Sequence, residues 1–236
     1  TKVAYSYHNI GLIYNEKGKY YKALQYYQQA LSILLKTLGR DHPNLATIYS
    51  NIGIVYWKRG DHYTALEYYQ QALRMEVRSF GKEHPNVADK YNNIGLVYWN
   101  LGDYDRALEN YKKSLSVMLK ALDANHPDVA RIYNNIGVVY KDKGDFDKVL
   151  DYYQRSLSIR LKSLGANHPD VATSYVNFGS FYAEVGEINK AIEFSNKSLA
   201  IYLNVFGSYH PLVRNNYNLF ANIYSRQAEH PPPSLL

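Results

Sequence analysis

The chain has 236 residues, of which 46% are hydrophobic and 20% charged, enough apolar material for a continuous core. No apolar run approaches the roughly 18 residues needed to span a bilayer, and the lack of cysteine excludes disulfides and thiolate chemistry, which suits a cytoplasmic protein. The formal charge of +6 is not gathered into a basic stripe with interleaved stacking aromatics, so neither nucleic acid nor membrane is an expected partner.

The dipeptide His-Pro recurs at His42, His84, His126, His168 and His210, a spacing of 42 without insertion. Such a fixed period identifies a stack of repeated units, each burying its apolar face on its neighbours. The first unit predicts helices over 3–17 and 20–38. Pairs follow over 44–59 and 62–80, 86–101 and 104–122, 128–143 and 146–164, and 170–185 and 188–206. In the third unit Val87, Tyr91, Ile94, Tyr98 and Leu101 line one stripe of the first helix. Leu108, Tyr111, Leu115, Met118 and Leu122 line one stripe of the second. We name the two helices of each unit A and B; joined by a tight turn, they form an antiparallel hairpin.

Gly102 suits a left-handed residue ending helix A, and Pro85 suits a first helical turn, where its missing N–H costs nothing. Gly95, inside helix A, costs about 1 kcal/mol relative to alanine, so its recurrence at Gly11, Gly53, Gly137 and Gly179 predicts a close approach by the neighbouring helix. A sixth helix A over 212–226 carries Ala221 and Leu219 where the other units have Gly and Asn, as expected of a terminal cap. The expected organisation is one array over 1–227, with five hairpins and a capping helix, followed by a flexible proline-rich tail over 228–236. Because the chain begins directly in a helix A, it reads as a fragment cut at a repeat boundary.

Tyr91, Ile94, Gly95, Tyr98, Gly102, Tyr104, Ala107 and Tyr111 resemble the pattern of the tetratricopeptide repeat, with Ser114 where alanine is usual. The period is longer than the usual value of about 34, and Leu119 replaces the pattern's terminal proline. This long form, with its Leu-Gly-x-x-His-Pro-x-Val-Ala linker, is similar to the repeat region of kinesin light chains. The resemblance implies an all-α, right-handed superhelical solenoid of hairpins that acts as a protein-interaction module, with A helices lining a concave groove and a mild preference for acidic peptides.

Opposite the buried stripe of each helix A lies the candidate groove face. One position on it is invariant: Asn9, Asn51, Asn93, Asn135 and Asn177. An asparagine offers both a donor and an acceptor, so a row of them can pair with an extended peptide backbone whatever its side chains. The same row can equally bond the adjacent repeat and set the pitch of the stack. Asn92 and Asn134 share the face; Ile54, Leu96 and Val138 offer apolar pockets; Trp57 and Trp99 offer flat surfaces for a ligand or for packing on the next helix A. Lys58, Arg131 and Lys141 supply cations for an acidic or aromatic-containing segment. Self-association through the B helices or open repeat ends, or a regulatory role within a larger protein, are the alternatives.

The chaperone-type carboxylate clamp of this fold needs Lys and Asn at the fifth and ninth positions of a helix A, where this chain has His8/Leu12, Ser50/Ile54 and Asn92/Leu96. Chaperone C-terminal peptides are therefore expected not to bind strongly. The His-Pro histidines stand a whole hairpin apart, too far to share a metal ion, and are expected to cap helix A or the inter-repeat loop. With no HExxH, no phosphate-binding glycine loop and no thiol, neither a cofactor nor catalysis is expected.

Overall fold

The computed structural model describes residues 1–40 and 42–229. Eleven helices and no strand occur among the described residues: α1 (Lys2–Glu16), α2 (Tyr20–Leu38), α3 (Asn44–Lys58), α4 (His62–Phe80), α5 (Pro85–Asn100), α6 (Tyr104–Ala121), α7 (Pro127–Lys143), α8 (Phe146–Leu164), α9 (Pro169–Glu184), α10 (Ile188–Phe206) and α11 (Pro211–Glu229). They fall into two compact units, Thr1–Asp123 and Ala124–Leu236. The first holds three hairpins, α1/α2, α3/α4 and α5/α6. The second holds α7/α8, α9/α10 and the sixth helix A, α11, which packs on both α9 and α10. Helix α11 runs three residues beyond the expected end at 226, and the proline-rich stretch from residue 230 lies outside the described residues.

The helix ends follow from local chemistry. All five His-Pro histidines cap a helix A as expected: Nδ1 of His42, His84, His126, His168 and His210 accepts the backbone N–H two residues on, at 3.1–3.2 Å. This satisfies one of the orphan donors of the first turn. At the far end, Gly102 and Gly144 adopt φ of 74° and 79°, the left-handed geometry that lets the chain turn into helix B. Asp61 and Asp103 then cap α4 and α6 by accepting from the N–H of Thr64 and Arg106.

The recurrent mid-helix glycines have the steric reason their cost demands. An alanine Cβ at Gly11, Gly53, Gly95 or Gly137 would sit 2.5–2.9 Å from the ring of Tyr27, Tyr69, Tyr111 or Tyr153, contributed by helix B of the same hairpin. These four rings are fully buried, so each fills the space that its glycine leaves. Burial pushes the Tyr27 phenol up to about 12, helped by nearby Glu16, so the ring stays neutral at any physiological pH. Leu34, Leu45, Ile52 and Val55 join Tyr27 in one core cluster of the first unit, and Val171, Ile201 and Val213 form a core cluster in the second.

Candidate functional site

The invariant asparagines stand near the middle of successive A helices, and Asn51 and Asn177 each reach the preceding helix A. Asn51 Nδ2 lies 2.6 Å from His8 Nε2, joining α3 to α1. In the second unit Asn177 Nδ2 donates to Asn134 Oδ1 at 2.7 Å, joining α9 to α7. Both contacts span 43 residues, one more than the repeat, so each asparagine meets the residue just before its own counterpart. The row is therefore spent in part on holding neighbouring A helices in register. Asn51, Asn93, Asn135 and Asn177 remain half-buried, and Asn9 is exposed.

Asn92 and Asn134 do not line an open face. They are only 5% and 9% exposed, and Asn134 is the acceptor for Asn177 on α9. A buried amide in such a place is held by hydrogen bonding rather than presented to solvent. Ile54 and Trp57 are partly buried against Ala65, Tyr69, Ile94 and Val97, so the Trp57 ring packs towards the next hairpin. Its indole nitrogen is buried without a partner in the protein. Leu96, Val138 and Trp99 are also half-buried.

The three candidate cations differ in their surroundings. Lys58 is exposed at the end of α3. Arg131 reaches back one turn to Asp128, with Nε and Nη2 at 3.3 and 3.2 Å from Oδ1. Lys141 Nζ lies 2.9 Å from Asp142 and 3.3 Å from Glu184. Burial alone lowers the affinity of Lys141 for its proton, but the two carboxylates outweigh it and hold the pKa above its ordinary value. An acidic ligand at Lys141 has to compete with carboxylates already there. Among the described residues no group of three or more His, Cys, Asp or Glu side chains is arranged to hold a metal ion, and no helix is long and apolar enough to cross a membrane.

One buried position that the apolar pattern conceals varies in polarity from hairpin to hairpin. Leu34, Glu76, Met118, Arg160 and Tyr202 are equivalent in the repeat and all buried. Asn86 at the start of α5 donates to Glu76 at 3.3 Å. Arg160 donates at 2.8 Å to both the Asp170 carbonyl and the Ser174 hydroxyl at the start of α9, and burial lowers its pKa. These contacts tie a helix B to the following helix A, and they follow from no periodic signal because each is a local exception.

The profile of the tetratricopeptide repeat matches in five overlapping stretches, 2–76, 48–120, 86–162, 128–203 and 170–232. Among solved structures, BtubC (BKLC) from P. vanneervenii is 28% identical, with a TM-score of 0.71 over 85% of this chain and 80% of that one. A Podosopora anserina kinesin light chain protein with nearly identical TPR-like repeats is 21% identical, with a TM-score of 0.69 over 85% and 95%. The Rap conjugation gene regulator of plasmid pLS20, in complex with the Phr* peptide, is 16% identical, with a TM-score of 0.72 over 98% and 60%. No curated protein sequence matches the chain.

Proposed function

Since the chain belongs to the tetratricopeptide repeat family, with an all-α solenoid fold of helical hairpins, we propose that it is a protein-interaction module that binds an extended peptide segment along its A helices. The observation that carries this reading is the fixed setting of Asn51 and Asn177, each held through Nδ2 by the preceding helix A. A side chain already anchored by one hydrogen bond loses little conformational freedom when its carbonyl oxygen accepts another from a peptide N–H. Within the first unit Asn9, Asn51 and Asn93 serve as backbone acceptors, and within the second Asn135 and Asn177. Asn92 and Asn134 support the row from behind. Ile54, Leu96 and Val138, beside Trp57 and Trp99, read the peptide's side chains, and an aromatic residue suits the tryptophan edges. Exposed Lys58 is the cation best able to favour an acidic residue, since Arg131 and Lys141 already have carboxylate neighbours. The Rap regulator, of the same fold, is itself a peptide complex, which supports the reading.

The test is selection of a random peptide library on the immobilised chain, repeated with an Asn51/Asn93/Asn135→Ala variant of matched helicity. A motif enriched by the native chain and lost by the variant supports the reading. Equal enrichment by both proteins, or none by either, removes the asparagines from any binding role and leaves them as struts between repeats.

A further inference from the structure

A strongly cationic cleft lies in the first unit and shares no residue with the asparagine face. It has a volume of about 560 Å³ and is walled by Arg40, Arg74, Arg78 and Lys82, with Leu73, Met75 and Val77 among its apolar lining. That volume is in the range of ordinary ligand-binding clefts. No carboxylate among the described residues lines it. Buried Glu76 on the same helix is engaged by Asn86, and Glu83 in the loop is paired with Lys120.

The sequence sets this cleft apart from the rest of the array. At the position of Arg74 the other hairpins carry Ser32, Ser116, Ser158 and Ala200. Arg40 and Lys82 are themselves equivalent, and the later units place Ala124, Ala166 and Ser208 there. A chain that otherwise copies itself at a period of 42 thus departs from the copy at three positions that converge on one cleft. Neither the helix propensity nor the packing of α4 requires an arginine at an exposed site that serine fills elsewhere.

We infer that this cleft is a second docking site, for an acidic peptide segment carrying an aliphatic side chain. The carboxylates meet Arg40, Arg74 and Lys82, and the aliphatic group rests on Leu73, Met75 and Val77. Arginine forks bind carboxylates in two-point geometry and are weakly hydrated, which favours them over lysine for protein contacts. A nucleic acid would need a longer cationic track with several stacking rings, whereas Tyr91 is the one aromatic side chain in the lining. The site stands independently of the proposed peptide-binding face.

The experiment uses a fluorescein-labelled peptide with Glu and Asp flanking a single Leu, titrated by anisotropy at low and high salt, beside the same peptide with every acid replaced by its amide. Arg74→Ser, which installs the residue of three other hairpins, is expected to weaken binding of the acidic peptide about threefold, and Arg40→Ala with Arg74→Ser about tenfold. Both variants should keep their helicity and melting temperature, binding should fall with added salt, and Asn93→Ala should leave it unchanged. The inference is overturned if the wild type does not bind the acidic peptide, if the amide version binds as well, or if Arg74→Ser binds like the wild type. It is equally overturned if an oligo-dT strand or phosphatidylserine vesicles bind in an Arg74-dependent way and the peptide does not.

Discussion

The fourth and fifth hairpins solve one packing problem in two ways. In the fourth, Gly137 makes a notch for the Tyr153 ring, which comes within 2.5 Å of the site of a Cβ. In the fifth, Gly179 is kept but Ser195 stands where the tyrosine would be, and Phe178 replaces the isoleucine found at Ile136. The Phe178 ring stacks on Phe194 at 4.9 Å and meets Tyr153 edge-on at 5.5 Å. The fifth hairpin thus carries a buried ring on helix A where the fourth carries one on helix B. Beside Gly179 the nearest side chains are Ser195 and, from α11, Leu219, so the notch is closed by smaller groups.

The largest expected effect comes from emptying the notch. Tyr153→Ser should cost about 3–5 kcal/mol in urea or thermal unfolding of the chain, because the surrounding structure cannot collapse onto a missing ring. Adding Ile136→Phe to that variant imports the fifth hairpin's solution and should recover about 1–2 kcal/mol as a favourable coupling in a double-mutant cycle. A double variant no more stable than the single one would show that the two hairpins are not interchangeable.

Filling the notch gives the next effect. Gly137→Ala gains about 1 kcal/mol in helix propensity but drives a Cβ into a fully buried ring, an overpacking cost of about 1–3 kcal/mol, so net destabilisation is expected. Gly179→Ala meets the Ser195 Oγ at 2.8 Å, a short side chain that can rotate aside, and should be neutral or stabilising. Paired melting curves decide this; equal losses at both sites would show that the two notches are equally tight. Smaller again is the cap: His84→Ala, which removes the acceptor for the Asn86 N–H, should cost about 1 kcal/mol, while His84→Asn should retain most of it.

The smallest effect separates the two units by pH. Asn51 leans on His8, whereas Asn177 leans on Asn134, which does not titrate. Burial lowers the pKa of His8 below its ordinary 6.5, with the hydrogen bond to Asn9 opposing the shift. The folded chain therefore binds this proton less readily than the unfolded chain. The stability that His8 contributes is full above pH 6.5 and declines as the pH falls below it. His8→Asn, copying the second unit, should remove that part of the pH dependence. Its persistence in the variant would place the titration elsewhere.

Much of this fold is legible in the sequence because its signals are local. Period, amphipathic stripe, capping histidine and turn glycine each act within a few residues, so every helix lies within a few residues of its expected bounds. The candidate face was harder to read. A helical wheel places Asn92 and Asn134 opposite the core, yet both are buried, and Asn134 accepts from Asn177 on the next helix A, α9. Likewise Trp57, exposed on the wheel, packs against Ile94 and Val97 in α5. The wheel knows one helix at a time, and burial of these residues depends on the neighbour.

The hairpins, their number, their caps and the need for small residues at Gly95 and its equivalents are written in the residues themselves, because the physical causes, steric fit and short-range hydrogen bonds, lie within one repeat. The offset of 43 rather than 42, which pairs Asn51 with His8 in one unit and Asn177 with Asn134 in the other, emerges from the packing of one helix A on the next. The tertiary structure also brings Arg40, Arg74, Arg78 and Lys82 to one cleft. Contacts between repeats join residues that are not equivalent, so a period, which compares like with like, carries no information about them.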